Sequence, residues 1–262
     1  MSAAATVMAT DAGAHAKFVY VLRLADASLI LGQQLGALIG HSPAIEQDLG
    51  LANISLDLIG QARLLLTYAG EIEGANRDED QLAFLRSESE FYNPTLVEQP
   101  NTDFAFVIAR QLLMDAWQLE LYDQLAQGTD TRLAEIAAKS LKETKYHFGY
   151  SADWAIRLGD GTEESHQRMQ RALDALWPYT YELFDPDEID LEISRAGIAG
   201  DLSSVRQNWD RRVNEVLEQA TLKRPENRFY SWYGKRGQHS EHLGRVLAEM
   251  QYLQRTYPGA QW

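Results

Sequence analysis

The stretch KETKYHFGY, Lys142–Tyr150, places Glu143 and His147 four residues apart inside a long helical pattern. Residues at i and i+4 share one face of a helix, and a carboxylate beside an imidazole on one face is a common metal grip. Its meaning depends on what the neighbouring helices bring to the same level.

Apolar residues recur with helical period on both sides of this stretch. The pattern predicts helices from about Lys17 to Gly40, Glu46 to Glu73, Phe104 to Gln127 and Thr131 to Leu158, the last closed by the Gly-Asp-Gly at 159–161. The connection between the second and third is the longest and includes GANRDED and LAFLRSESEFYNPTLVEQPNTD, which suggests a four-helix bundle with a crossover. Further helical segments follow: EESHQRMQRALDALWPYTYELF, in which Pro178 should kink or end the helix, SVRQNWDRRVNEVLEQATL, and SEHLGRVLAEMQYLQRTY. No alternating strand pattern of useful length is present. The expected fold class is all-α: a four-helix bundle with additional C-terminal helices, in one domain over residues 16–262. Residues 1–15, rich in Ala and Thr, are expected to form a disordered tail.

The formal charge of −14 over 262 residues argues against nucleic acid and anionic membrane as partners. With no cysteine, disulfides, thiolate metal ligands and iron–sulfur clusters are excluded. The start lacks the basic segment and unbroken apolar core of a signal peptide, and no apolar run approaches the roughly 20 residues that span a bilayer. A cytoplasmic protein is expected.

Projecting each helix at about 100° per residue puts polar groups on faces that should be buried. Asp26 lies among Val19, Leu22, Ile30 and Ala37, with Arg23 as a partner one turn away. Asn53, Asp57 and Gln61 lie among Ile54, Leu64 and Tyr68. Asp115 lies among Phe104, Ile108, Leu112, Leu119 and Tyr122. Ser140, Glu143, Thr144, His147 and Ser151 lie among Leu133, Ile136, Trp154 and Leu158. An acidic residue near the middle of each of four helices resembles a dimetal carboxylate bundle, in which two helices each give a Glu and two each give Glu-x-x-His. Here the second helix offers Asp57-x-x-Gly60 and the fourth Thr144-x-x-His147, so one histidine and one carboxylate are missing. Glu143 is about 100° around the helix from the ligand position. Asp26 and Asp115 are each a methylene shorter than Glu. The expected core is a polar remnant in which Asp26, Asp57, Asp115 and His147 form one hydrogen-bonded cluster.

Weaker candidates lie elsewhere. His239 and His242 flank Glu241 three residues apart, but Ser240 as the N-cap of a helix is the simpler reading. GKRGQH lacks the spacing of a phosphate loop. FYNP (91–94) and RFYSWY (228–233) offer aromatics in loops, suited to an interface or a flat ligand, or to ordinary packing.

YVLRLADASLILGQQLGALIGHSP, ANISLDLIGQARLLLTYAGE, VEQPNTDFAFVIARQLLMDAW, FDPDEID and GKRGQHSEHLGRVLAEMQYLQRTYPGAQW resemble the C subunits of ring 1,2-phenylacetyl-CoA epoxidases, from about Phe18 to Trp262. The resemblance implies a ferritin-like fold and a non-catalytic structural role beside a catalytic A subunit. In that family the A subunit carries diiron, and a reductase with flavin and iron–sulfur groups supplies electrons from NADPH; no cofactor is implied in the C subunit. It further implies hetero-oligomers with the A subunit, contact with other epoxidase subunits, and compatibility with a homodimer of the chain alone. Contacts to coenzyme A are implied at Glu90, Phe91, Tyr92 and Asn93 and at Leu191, Glu192 and Ile193. The competing readings are an autonomous dimetal oxidase or iron-binding protein, which needs an intact Glu-x-x-His pair, and a helical binding module unrelated to oxygenases. Purified protein from iron-supplemented growth is expected to hold well under one transition metal per chain. Two irons per chain with a diiron optical signature would contradict the remnant reading.

Overall fold

A computed structural model describes residues 3–226 and 230–260, with side chains from residue 13 onward. Its helices are α1 (Ala3–Gly36), α2 (Ile45–Glu73), α3 (Glu79–Phe84), α4 (Phe104–Leu125), α5 (Thr131–Gly159), α6 (Glu163–Leu176), α7 (Glu188–Arg195), α8 (Leu202–Gln219), α9 (Leu243–Met250) and α10 (Tyr252–Thr256). Among the described residues there is no strand, and the fold is an all-α, ferritin-like bundle of α1, α2, α4 and α5.

The expected helices match α2, α4 and α5 closely at both ends, and aspartate explains much of this. Asp103 and Asp130 cap α4 and α5 by accepting from Phe106 N–H (2.8 Å) and Leu133 N–H (3.0 Å). The first helix differs: it ends at Gly36, which leaves Ala37 beyond it and exposed, and its backbone begins at Ala3. The tail expected at 1–15 lies outside the described residues in its first two positions and, for side chains, through residue 12. Pro178 behaves as expected, because α6 gives way at Trp177 to a 3₁₀ segment running to Phe184. Two short helices are not evident in the sequence pattern, α3 inside the crossover and α7 on FDPDEID, each closed by an aspartate capping box.

Position in the bundle separates the helices by exposure. α1 from Val19 to Leu35 and α4 from Ala105 to Tyr122 are almost wholly buried, because α6 and α8 pack on α4 while α7, α9 and the crossover pack on α1. α2 and α5 form the outer face. α1 and α2 approach closely at Gly32, where a Cβ would stand only 3.2 Å from the Ile59 side chain, and Ser55 Oγ donates to Gly32 O at 2.8 Å. Gly50 likewise lets the ring of Tyr150 lie on α2, since a Cβ there would stand 2.8 Å from it.

α2 departs from expectation in two ways. By length and composition it is apolar enough to match a membrane span, although half of that window is buried here. Its inward face is Leu51, Ile54, Leu58, Gln61 and Leu65, whereas Asn53 is exposed and Asp57 sits at its edge. Ile45, Leu49 and Leu56 point outward, 61–69% exposed, and Ile59, at the edge that meets α1, is 36% exposed.

Asp130 joins three of the long helices at one point. Besides capping α5, it accepts from Lys17 Nζ (3.0 Å) on α1 and Tyr68 Oη (2.6 Å) on α2. Asp130→Ala is expected to lower unfolding free energy by about 2–3 kcal/mol, a cap plus two partly buried hydrogen bonds. A denaturant midpoint unchanged from wild type would show that solvent replaces all three.

Candidate functional site

The remnant ligand positions do not converge. Asp26 is fully buried, and its carboxylate accepts from both Nη atoms of Arg86, one at 3.0 Å, and from Tyr92 N–H at 2.9 Å. Arg86, not Arg23, is therefore its partner. Arg86 also donates to Glu90 O (2.8 Å) and lies 4.1 Å from the centre of the Phe91 ring. Arg23 turns the other way, to Asp187 (2.9 Å) and Lys235 O (3.1 Å).

The other positions are satisfied separately. Asp115 accepts from Ser151 Oγ (2.8 Å) and Gln111 Nε2 (2.6 Å), and burial pushes its carboxyl up to about 8. His147 Nε2 lies 3.1 Å from Asp57 Oδ2 at the seam of α2 and α5, where the Asp57 side chain is 40% exposed. Burial lowers the His147 pKa and outweighs the opposing pull of Asp57 and Glu143, so the neutral ring donates its Nε2 proton to Asp57. Glu143 accepts from Gln61 Nε2 at 3.0 Å. Thr144 is buried, and a Cβ at Gly60 would meet open space.

The single cluster expected of Asp26, Asp57, Asp115 and His147 is thus three separate arrangements. Each carboxylate has its own donors, which avoids bringing like charges together in a low dielectric. Among the described residues no three His, Asp or Glu side chains gather to hold a metal. A dinuclear centre does not fit this donor set: one neutral imidazole, one carboxylate consumed by an arginine, and another at the solvent edge.

A denser polar site lies where the sequence gives little warning of one. Glu98, fully buried in the crossover, accepts from His239 Nδ1 (2.6 Å), Asn93 Nδ2 (2.9 Å), Ser240 N–H (2.8 Å) and Ser240 Oγ (2.6 Å). His239 Nε2 meets Phe91 O at 2.8 Å. A carboxylate and a carbonyl both accept, so the ring must donate from both nitrogens and is an imidazolium. Burial works against that charge, but Glu98 and the Phe91 carbonyl raise the His239 pKa above its ordinary value. Ser240 is therefore a ligand of Glu98 rather than the N-cap; His242 holds the cap position of α9 without a side-chain cap bond, its N–H lying 3.3 Å from Ser240 Oγ. His239 and His242 hold no shared metal grouping. Beside this, Glu182 accepts from Thr95 N–H and Lys235 N–H, each at 2.8 Å, and burial raises its pKa. The sequence signal is the His239–Ser240 pair itself; what it lacks is the mate, 141 positions away.

Above these ion pairs lies a cleft of about 600 Å³ between α1, α7 and the loop around Lys235. Of the positions associated with coenzyme A, Tyr92 and Leu191 line it. Phe91, Asn93 and Ile193 are buried, Glu192 is half-buried on α7, and Glu90 is turned onto Ser87, accepting from its N–H at 2.7 Å. FYNP is thus largely interior, whereas Tyr230 and Tyr233 are exposed; Arg228 and Phe229 lie outside the described residues. Burial opposes ionisation of Asp187 at the cleft floor, but the Arg23 guanidinium holds its carboxyl well below the usual carboxylate range.

The fold and these positions define an all-α, ferritin-like protein whose acidic residues at mid-bundle are bound to separate partners. The whole chain, residues 1–262, matches the family described as phenylacetic acid catabolic protein, and it belongs to that family. It is 52% identical, over 93% of its length and 98% of the relative's, to the C subunit of the 1,2-phenylacetyl-CoA epoxidase of Escherichia coli (strain K12).

Because the folded pKa of His239 lies above 6.5, its pairing stabilises the fold fully below about pH 6.5 and is lost as pH rises through the folded value. His239→Gln is expected to cost roughly 1–3 kcal/mol near pH 6, with a smaller difference from wild type near pH 9. Thermal melts across that range check this; a difference independent of pH would show that the ring is neutral in the fold.

Proposed function

We propose that the chain is a non-catalytic structural subunit of a multicomponent epoxidase acting on the ring of phenylacetyl-CoA, and that it binds and stabilises a catalytic A subunit. The observation that carries this is the 52% identity, spanning nearly both full lengths, to a protein named as the C subunit of such an epoxidase. The diversion of Asp26 to Arg86 and the solvent-edge position of Asp57 support a chain whose core does no oxygen chemistry. On this reading diiron belongs to the A subunit, and electrons reach it from an NADPH-dependent reductase. An autonomous dimetal oxidase is not favoured, because neither Glu-x-x-His copy is intact.

The outward stripe Ile45, Leu49, Leu56 and Ile59 of α2 supports a subunit role as well. A contiguous apolar face on a folded protein marks a contact, and an apolar centre with a polar rim is how protein interfaces are built. We place the A subunit on this face. Tyr92 and Leu191, on the cleft beside α7, are the positions we assign to the coenzyme A moiety of the substrate.

Reconstitution tests the reading. This chain with reductase, NADPH, O2 and phenylacetyl-CoA is expected to show no turnover, and adding the A subunit should give a stable complex that turns over. Leu49→Glu with Leu56→Glu should abolish co-purification with the A subunit while leaving the circular dichroism spectrum and melting temperature near wild type. Turnover by this chain alone, or full activity of the A subunit without it, would overturn the assignment; an intact complex with the double variant would move the interface elsewhere.

A further inference from the structure

The middle of the bundle contains polar atoms to which the protein supplies no partner. α4 turns Gln111, Asp115 and Gln118 inward, and α5 turns Ser140, Thr144 and His147 inward; all are buried. The Asp115–Ser151 hydrogen bond fixes the register of the two helices. They are joined by a short connection and run antiparallel, so Gln118 comes level with His147 one turn further along and Tyr122 with Thr144 about two turns along. At this level Gln118 Oε1, Thr144 Oγ1 and His147 Nδ1 all lack a hydrogen-bond partner, as do Gln111 Oε1 and Ser140 Oγ further along the helices on either side.

Their chemistry selects what fits. The amide nitrogens are already committed, Gln111 Nε2 to Asp115 (2.6 Å) and Gln118 Nε2 to Ser28 Oγ (3.3 Å). The neutral His147 ring commits its proton to Asp57, which leaves Nδ1 as an acceptor. Of the three free atoms at this level, Gln118 Oε1 and His147 Nδ1 therefore only accept, and the Thr144 hydroxyl accepts or donates. An anion or a carbonyl would be repelled. A multivalent cation would need carboxylates, and Asp115, one turn away, is already engaged by two donors and is held by burial toward its protonated form. A small neutral molecule with two donor hydrogens matches the set.

We propose that the centre of the bundle is a water-binding site, in which ordered water bridges Gln118 Oε1, His147 Nδ1 and Thr144 Oγ1 between α4 and α5. The water occupies the level at which a dimetal bundle holds its ions and completes the hydrogen bonding of a core that has lost them. Exchange with solvent runs through the α2–α5 seam, where Gly60 projects no side chain and the His147–Asp57 pair is the closure.

A crystal structure of the wild-type chain at about 1.5 Å resolution tests this directly. Water density is expected within about 2.7–3.2 Å of Gln118 Oε1 and His147 Nδ1. Thr144→Val, which keeps the shape and removes the hydroxyl, gives an independent sign. If Thr144 bonds to water, the substitution lowers the melting temperature, by about 2–4 °C for a chain of this size. If the hydroxyl is buried dry, valine raises it. A dry site, a raised melting temperature in Thr144→Val, or anomalous scattering from a metal at this level would each overturn the proposal.

Discussion

The ion pair between Asp26 and Arg86 is the constraint on which the arrangement depends. Both side chains are essentially inaccessible to solvent, and removing one partner from such a pair leaves a charge that the interior cannot stabilise, at a cost of about 3–5 kcal/mol. The pair fastens the crossover across α1, and Tyr92 N–H adds a third donor to the same carboxylate. With the crossover fixed there, Glu98 and Thr95 are carried to where the C-terminal segment meets them. α1 is buried on nearly every side because this polar framework, not apolar matching alone, holds the covering layer in place.

That framework also keeps the acidic residues of the bundle interior apart from one another. A bridging carboxylate must keep its lone pairs free for ions, whereas Asp26 gives them to a guanidinium and a backbone amide. Asp57 lies at the outer seam because α2 turns Leu51, Ile54 and Leu58 inward, and its remaining face looks outward. The bundle keeps its polar middle while the charges that would concentrate ions there are dispersed to separate partners.

How much of this was legible in the sequence depended on how local the signal was. The starts of α4 and α5 follow from Asp103 and Asp130, each acting within a few residues, and so they could be read. The Pro178 break was readable for the same reason. The inward face of α2 was not, since Ile45, Leu49, Leu56 and Ile59 make it apolar outside as well as inside and a projection has no side to prefer. Arg23 stood one turn from Asp26 and offered itself as a partner, but the mate lies 60 positions on, in a loop whose path only the fold determines. Ser140, Thr144, His147 and Ser151 were placed on the buried face correctly, because amphipathic α5 has a polar outside to contrast with them.

The bond between His239 and Glu98 spans 141 positions, and that has a consequence for how the chain is made. At roughly 5–20 residues per second, a ribosome needs about 7–28 s to travel from one to the other. Throughout that interval Glu98 has no cation to meet, although the Asp26–Arg86 pair can already hold the crossover to α1. The nascent chain must therefore carry a buried-to-be carboxylate without its cation until the segment around His239 emerges, so the polar framework of the fold is completed late in synthesis.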